Sequence, residues 1–115
     1  MSINLIMTDN ILTICLGNNT MQSIGDNLKG SRNDAILFYN YILINQIEKK
    51  KNSKFLKPKI LLNESVTLDN ILTIIKKYIL KINRLIIFYS GHGYKNGYFN
   101  ISDKNNKLVN KKKLL

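Results

Sequence analysis

Several residue types are scarce in this sequence, and each scarcity excludes a class of protein. The 115 residues include one cysteine, Cys15, which excludes an internal disulfide framework and any zinc site built from several cysteines. Tryptophan is absent, and proline and histidine each occur once. The chain has no run of 18 apolar residues and no signal-peptide pattern at its N-terminus. We therefore expect a cytoplasmic protein that is neither secreted nor membrane-bound.

Acidic residues are also scarce, with seven Asp and Glu against 18 Lys and Arg, which gives a net charge of +11. Such a charge alone suggests a nucleic-acid-binding protein. However, only Arg32 and Arg84 are arginines, and most lysines lie in expected loops and tails. Phosphate-reading sites usually add arginine forks or stacking aromatic rings. The distribution favours a solvated lysine surface, so nucleic acid is the least favoured partner.

The sequence pattern predicts a single α/β domain over residues 1–115. Short apolar runs alternate with helical periodicity, which is typical of β-α-β-α-β with a mainly parallel sheet and helices on its faces. A charged loop is expected over 48–57, and a small hairpin over 98–109. The predicted elements are strands at 10–17, 59–62 and 85–89, the last in the sheet interior, and helices at 31–46 and 67–82.

Two local patterns mark the expected helix starts. Ser31 precedes Asp34 by three residues, which resembles a capping box. Thr67 stands directly before the second apolar helical stripe and is expected to be its N-cap.

His92 is the only histidine, and it lies between Gly91 and Gly93 directly after the strand predicted at 85–89. Flanking glycines permit a sharp turn and leave the imidazole accessible, which suits a general base. A histidine without function at a loop tip fits the spacing equally well. In parallel sheets, ligand-binding and catalytic residues usually lie beyond the carboxyl ends of the strands. The turns after Gly17 and Ser90 are both expected at that edge.

Four segments together resemble the caspase superfamily, and the metacaspases most closely. LIIFYSGHG at 85–93 resembles the histidine motif of that superfamily, and LKGSRNDA at 28–35 is similar to the metacaspase segment that opens the first helix. Weaker likenesses are ILTICLGNN at 11–19 and ILLNESVTLDNIL at 60–72. The matches follow the family order.

The resemblance implies a caspase-like three-layer fold and a cysteine-type endopeptidase with a Cys-His dyad. His92 then corresponds to the base, and Gly93 to part of the oxyanion-binding turn. Asp34 and Ser90 match residues that line the pocket for the side chain before the cut, which implies peptide or protein substrates with Arg or Lys at that position. Without the resemblance, Asp34 also fits a helix-start acid that balances the helix dipole.

The sequence departs from the family at the nucleophile. In the family the catalytic cysteine follows on the next strand, and this chain stops at 111–115, where that strand is expected to begin. Cys15 cannot replace it, because a cysteine inside a buried strand is inert. Ser31 also replaces the usual cysteine of the helix-opening motif. We expect a fold that is incomplete at its C-terminus and inactive alone: a fragment, half of a split enzyme, or a non-catalytic interaction module.

Partners and cofactors follow from the same comparison. A sheet that ends after three strands leaves an apolar edge, which predicts a homodimer or a partner chain that completes the sheet. Many metacaspases need calcium, but Asp103 is the lone acid after His92. Because calcium sites need several oxygen ligands, we expect no cofactor and no metal.

Overall fold

A computed structural model of the chain describes residues 9–19, 30–48, 53–91, 98–102 and 108–110. These residues form a mixed α/β structure, so the predicted class is confirmed. A 3-10 turn at Asn63–Ser65 links the third strand to the second helix. The elements in chain order are β1 (Asp9–Gly17), α1 (Ser31–Glu48), β2 (Ser53–Phe55), β3 (Lys59–Leu62), α2 (Leu68–Tyr78), β4 (Arg84–Ser90), β5 (Tyr98–Ser102) and β6 (Leu108–Asn110).

Strand β1 is the centre of the sheet in the described part of the chain. It pairs in parallel with β4 along Ile11–Gly17. Its other side pairs with β2 at Asp9–Ile11 and with β3 at Ile14–Gly17, also in parallel. The expectation that the 85–89 strand is interior is therefore wrong for the described sheet, because β4 pairs there with β1 alone.

The short strand β2 lies inside the segment that was expected to be a charged loop. The backbone N–H of Leu56, just after β2, donates to the carbonyl of Ile11 at 2.9 Å. Three residues are too few to show a period of two, so no sequence pattern could reveal this strand. Pairing with the start of β1 determines it.

Helix α1 begins at Ser31, as predicted, but without a capping box. The N–H of Asp34 donates to the carbonyl of Gly30 at 2.9 Å, which makes Gly30 the N-cap. Ser31 is the first helical residue and is buried. The Asp34 carboxylate accepts a hydrogen bond from a residue of β4 instead of reaching back to its own helix.

Helix α2 begins as predicted and ends earlier than predicted. The Thr67 side chain accepts a hydrogen bond from the N–H of Asn70 at 3.1 Å, which confirms Thr67 as the N-cap. The helix ends at Tyr78 rather than residue 82. The N–H of Asn83 donates to the carbonyl of Asn10 at 3.0 Å, and the side-chain oxygen of Asn83 accepts from the N–H of Asn10 at 2.9 Å. Because Asn83 is fixed beside β1, the chain must leave the helix before it.

The two helices cover opposite faces of the sheet, which gives three layers. Alternate residues of a strand point to opposite faces. One face of β1 packs into a core with α2 and the segment before it, and the other lies under α1, where Phe38 stacks on Phe88 with ring centroids 4.4 Å apart. The core on the α2 side contains Leu12, Ile14, Leu16, Val66, Leu68 and Ile71.

The strands β5 and β6 form an antiparallel hairpin, with Phe99 opposite Val109 and an irregularity before Ser102. This is the hairpin predicted at 98–109.

Gly17 allows the first turn of α1 to lie directly on the end of β1. A Cβ atom added to Gly17 would lie 2.6 Å from the Cβ of Ala35 and 2.6 Å from the carbonyl oxygen of Ser31. Both are closer than side-chain contacts allow, and neither belongs to a flexible chain end. The position of α1 therefore depends on the absence of a side chain here.

We expect Gly17→Ala to lower the free energy of unfolding by about 2–3 kcal/mol, because overpacking forces α1 away from β1. Gly30→Ala is the matched control, since no atom lies within 4 Å of the added Cβ. Its cost should stay below about 1 kcal/mol, the size of a weakened N-cap. Urea unfolding followed by circular dichroism measures the free energy of unfolding of both variants. Equal urea midpoints for Gly17→Ala and Gly30→Ala would contradict the close contact at Gly17.

Candidate functional site

The carboxyl ends of β1, β3 and β4 meet the N-terminus of α1 at one edge of the sheet. All three strands are parallel, so their ends point the same way. The N–H of Asn18, directly after β1, donates to the carbonyl of Ser90 at 3.0 Å. The ends of β1 and β4 are thereby joined at this edge.

Two of the residues predicted for the site, Asp34 and Ser90, are in contact here. The hydroxyl of Ser90 donates to Oδ2 of Asp34 at 3.0 Å, across 56 residues of sequence. Asp34 lies in the first turn of α1 and is exposed, whereas Ser90 ends β4 and is half-buried. Among the side-chain contacts of the described residues, this hydrogen bond is the one that the Asp34 carboxylate makes.

Gly91 continues the chain from β4 close to the end of β1. A Cβ atom on Gly91 would lie 2.6 Å from the Tyr89 hydroxyl oxygen and 3.2 Å from the carbonyl oxygen of Asn18. A side chain would therefore displace the Tyr89 ring from this edge. Gly91 is the last described residue before the predicted catalytic histidine. His92 and Gly93 lie outside the described residues, and their roles stay predictions.

Two asparagines for which the sequence predicted no role support this edge. The N–H of Asn19 donates to the side-chain oxygen of Asn63 at 3.0 Å. The side-chain oxygen of Asn19 accepts from the N–H of Arg32 at 2.9 Å. Asn63 has a positive φ of 51°, a conformation that asparagine adopts more readily than most residues. The only sequence signal was that these asparagines follow strand ends.

Cys15 is a buried thiol in the centre of β1 and is unsuited to act as a nucleophile. Its side chain is fully buried, and burial raises its pKa to about 11. A nucleophilic cysteine needs a lowered pKa and access to substrate. The structure thus agrees with the expectation that Cys15 is a buried, inert thiol.

A second charged cluster lies at the amino end of β3, away from this edge. The Nζ atoms of Lys59 and Lys77 lie 5.1 and 5.5 Å from the centre of the Tyr78 ring. A hydrogen bond from Lys59, more than any other contact, lowers the pKa of the Tyr78 phenol. These lysines cover an aromatic ring of the protein itself.

Neither a metal centre nor a membrane span is present in the part of the chain that the structure describes. No three side chains of His, Cys, Asp or Glu converge there in a way that could hold a metal ion. Asp103, the one acid considered for calcium, lies outside the described residues. No described helix combines the length and apolar character needed to cross a membrane.

Comparison with known proteins finds no match to a protein-family model, to a curated protein or to a solved structure. The caspase-like interpretation therefore depends on the motifs quoted above and on the geometry of this edge.

We expect the Cys15 thiol to resist alkylation in the folded chain. With a pKa of about 11, only about 0.1% of a thiol is ionised at pH 8, and burial blocks access as well. Iodoacetamide labelling followed by mass spectrometry should therefore be slow in buffer and fast in urea. Rapid labelling under native conditions would show that the thiol is reachable, contrary to the buried position.

Proposed function

We propose that this chain is a metacaspase-like cysteine endopeptidase domain whose pocket binds Arg or Lys side chains of peptide substrates. The observation that carries the proposal is the hydrogen bond from Ser90 to Asp34 at the carboxyl edge of the sheet. Both residues match pocket positions in the motifs that resemble metacaspases. Their contact across the fold is what such a pocket requires.

The charge around Asp34 supports a cationic ligand. The chain carries +11, yet no lysine or arginine pairs with Asp34 among the described residues. By contrast, Asp9 pairs with Arg84 at 3.5 Å. A carboxylate that is exposed and has no cation beside it among these residues can accept a guanidinium or ammonium group from outside.

Ser90 orients the Asp34 carboxylate in this pocket. Its hydroxyl occupies one carboxylate oxygen, which restricts rotation of the Asp34 side chain and leaves Oδ1 for the ligand. An exposed ion pair alone contributes at most about 1 kcal/mol. The remainder of the binding free energy must come from contacts to the peptide backbone and from the water that the ligand excludes.

In the proposed reaction, His92 takes the proton of a cysteine thiol, and the thiolate attacks the carbonyl carbon of the basic residue. The protonated imidazole then gives its proton to the leaving amine, and water hydrolyses the acyl-enzyme. Cys15 is the only cysteine of these 115 residues and is buried in β1. The nucleophile therefore has to come from outside this sequence.

A second candidate function is a non-catalytic caspase-like module that captures basic peptides through the same pocket. The observation that favours it is the inert, buried Cys15. The two functions differ in one requirement, since capture needs Asp34 and Ser90 but not His92. Removing the nucleophile of a serine protease has cost on the order of 10⁶ in turnover. This chain alone should therefore have no peptidase activity under either function.

We expect Asp34→Asn to weaken the binding of a short peptide amide ending in arginine by roughly three- to tenfold, because the charge-assisted pair is lost. Asp69→Asn is the matched control, since Asp69 is likewise an exposed acid in the first turn of a helix. The same peptide with citrulline in place of arginine should bind the parent chain as weakly as the arginine peptide binds Asp34→Asn. Calorimetry or NMR titration measures each Kd.

Equal affinity for the arginine and citrulline peptides would contradict the pocket.

To separate the two candidate functions, His92→Ala is made both in this chain and in a longer protein with a cysteine strand after residue 115. Loss of Arg- or Lys-directed hydrolysis in the longer protein supports the endopeptidase. Unchanged hydrolysis removes His92 from the proposed dyad.

The outer edge of β4, on the side away from β1, supports the proposed association with another chain. The backbone groups of Leu85 and Ile87 point away from β1, and no described strand pairs with them. Both side chains are only partly buried, although they contact the core. Such an edge is a template for a further strand.

We expect the mass of the parent chain, measured by light scattering, to rise toward that of a dimer across micromolar concentrations. Leu85→Lys should keep the chain monomeric, since a lysine on an edge strand opposes pairing. Leu80→Lys is the control, because Leu80 is 99% exposed and lies outside β4. A monomeric parent chain at all concentrations would contradict self-association through this edge.

A further inference from the structure

Helix α1 lacks a capping side chain of its own at the end that holds Asp34. Its N-cap is Gly30, which has no side chain to accept from the first free N–H groups of the helix. The N–H of Arg32 is one of these groups, and it donates to the side-chain oxygen of Asn19 at 2.9 Å. A residue of the turn after β1 thus caps α1 from outside the helix.

The capping residue is in turn fixed by the end of β3. The N–H of Asn19 donates to the side-chain oxygen of Asn63 at 3.0 Å. The backbone of Asn63 is left-handed, with φ of 51°, and this residue begins the turn after β3. We call Asn19 and Asn63, with these two hydrogen bonds, the asparagine clasp.

The clasp ends close to the proposed pocket. Arg32 lies two residues before Asp34 in the same helical turn. On the other side, the N–H of Asn18 donates to the carbonyl of Ser90, so the same turn also fixes the end of β4. Neighbouring residues of one turn therefore determine where both members of the Asp34–Ser90 pair lie.

We propose that Asn19 and Asn63 are positioning residues of the pocket, holding the first turn of α1 so that the Asp34 carboxylate meets the Ser90 hydroxyl. The inference depends on the proposed function for its role in ligand binding. Its geometric part, the dependence of the Asp34–Ser90 hydrogen bond on the clasp, can be tested without any ligand.

The competing explanation is that packing alone positions α1. The contact of Gly17 with Ala35 and Ser31 already brings the helix onto β1. Packing sets the distance between helix and strand, whereas a hydrogen bond to the N–H of Arg32 also sets the rotation of the first turn about the helix axis. The rotation decides whether Asp34 faces Ser90, so the two explanations predict different results for a variant that removes the hydrogen bond only.

The primary test is an NMR measurement of the Asp34 carboxyl carbon with and without Ser90→Ala. In the parent chain, Ser90→Ala should shift this signal, because the hydroxyl donor is removed. In the Asn19→Ala background, Ser90→Ala should shift the Asp34 signal little, since Asp34 and Ser90 are already separated. In Asn19→Asp the full response should return, because the aspartate retains an oxygen that can accept from Arg32.

Asn63 gives a second, independent variant. Asn63→Gly keeps access to the left-handed backbone and removes the acceptor for Asn19. Like Asn19→Ala, Asn63→Gly should reduce the shift of the Asp34 carboxyl signal that Ser90→Ala causes. Asn63→Asp should preserve this shift. Asn70→Ala is the control for a general loss of stability, because it removes a hydrogen bond from Asn70 to the carbonyl of Ser65 at the start of α2.

Ligand binding provides the link to function. Affinity for the arginine peptide amide should fall about three- to tenfold in Asn19→Ala and recover in Asn19→Asp. A full carboxyl response to Ser90→Ala in the Asn19→Ala background would overturn the clasp, as would the absence of any response in the parent chain. A parent chain that shows the response but does not bind the peptide would remove the proposed function and leave the clasp supported.

Discussion

The structure depends on the close approach of the first turn of α1 to the carboxyl end of β1. Gly17 permits this approach, because a single methyl group there would collide with Ala35 and with the backbone of Ser31. The contact places the start of the helix over the edge where β4 also ends. It thereby brings Asp34 within reach of Ser90, which is 56 residues away in the sequence.

In the described part of the chain, polar groups at this edge are joined by a connected set of hydrogen bonds. The turn after β1 bonds to the ends of β3 and β4 and to the first turn of α1. Each of these bonds involves a backbone group that would otherwise lack a partner at the end of a strand or helix. Asparagine suits this task, since its amide offers both donor and acceptor and tolerates a left-handed backbone. The one described ion pair, Asp9 with Arg84, lies at the opposite edge.

The described surface retains apolar areas as well as the edge of β4. Helix α1 is apolar on most sides, and it leaves Leu37, Tyr41 and Ile44 more than half exposed. These residues recur at helical spacing on its outer side, while Ala35 and Ile42 are buried. A helix of this kind does not show a clear amphipathic pattern in its sequence. Its orientation on the sheet was therefore decided by packing rather than by periodicity.

The sequence by itself determined the kind and order of the main elements, because strand runs, helical periodicity and the Thr67 N-cap are local properties. It also predicted, through motifs that resemble those of caspases, that Asp34 and Ser90 lie together, and the two are hydrogen-bonded. Only the tertiary structure decided that β1 is the central strand, that Ser53–Phe55 pairs with it and that α2 ends at Tyr78. Only the tertiary structure showed that Asn19, rather than a residue of α1, caps that helix. Each of these features is made by hydrogen bonds between residues far apart in the chain, and such bonds leave no periodic or capping signal in the local sequence.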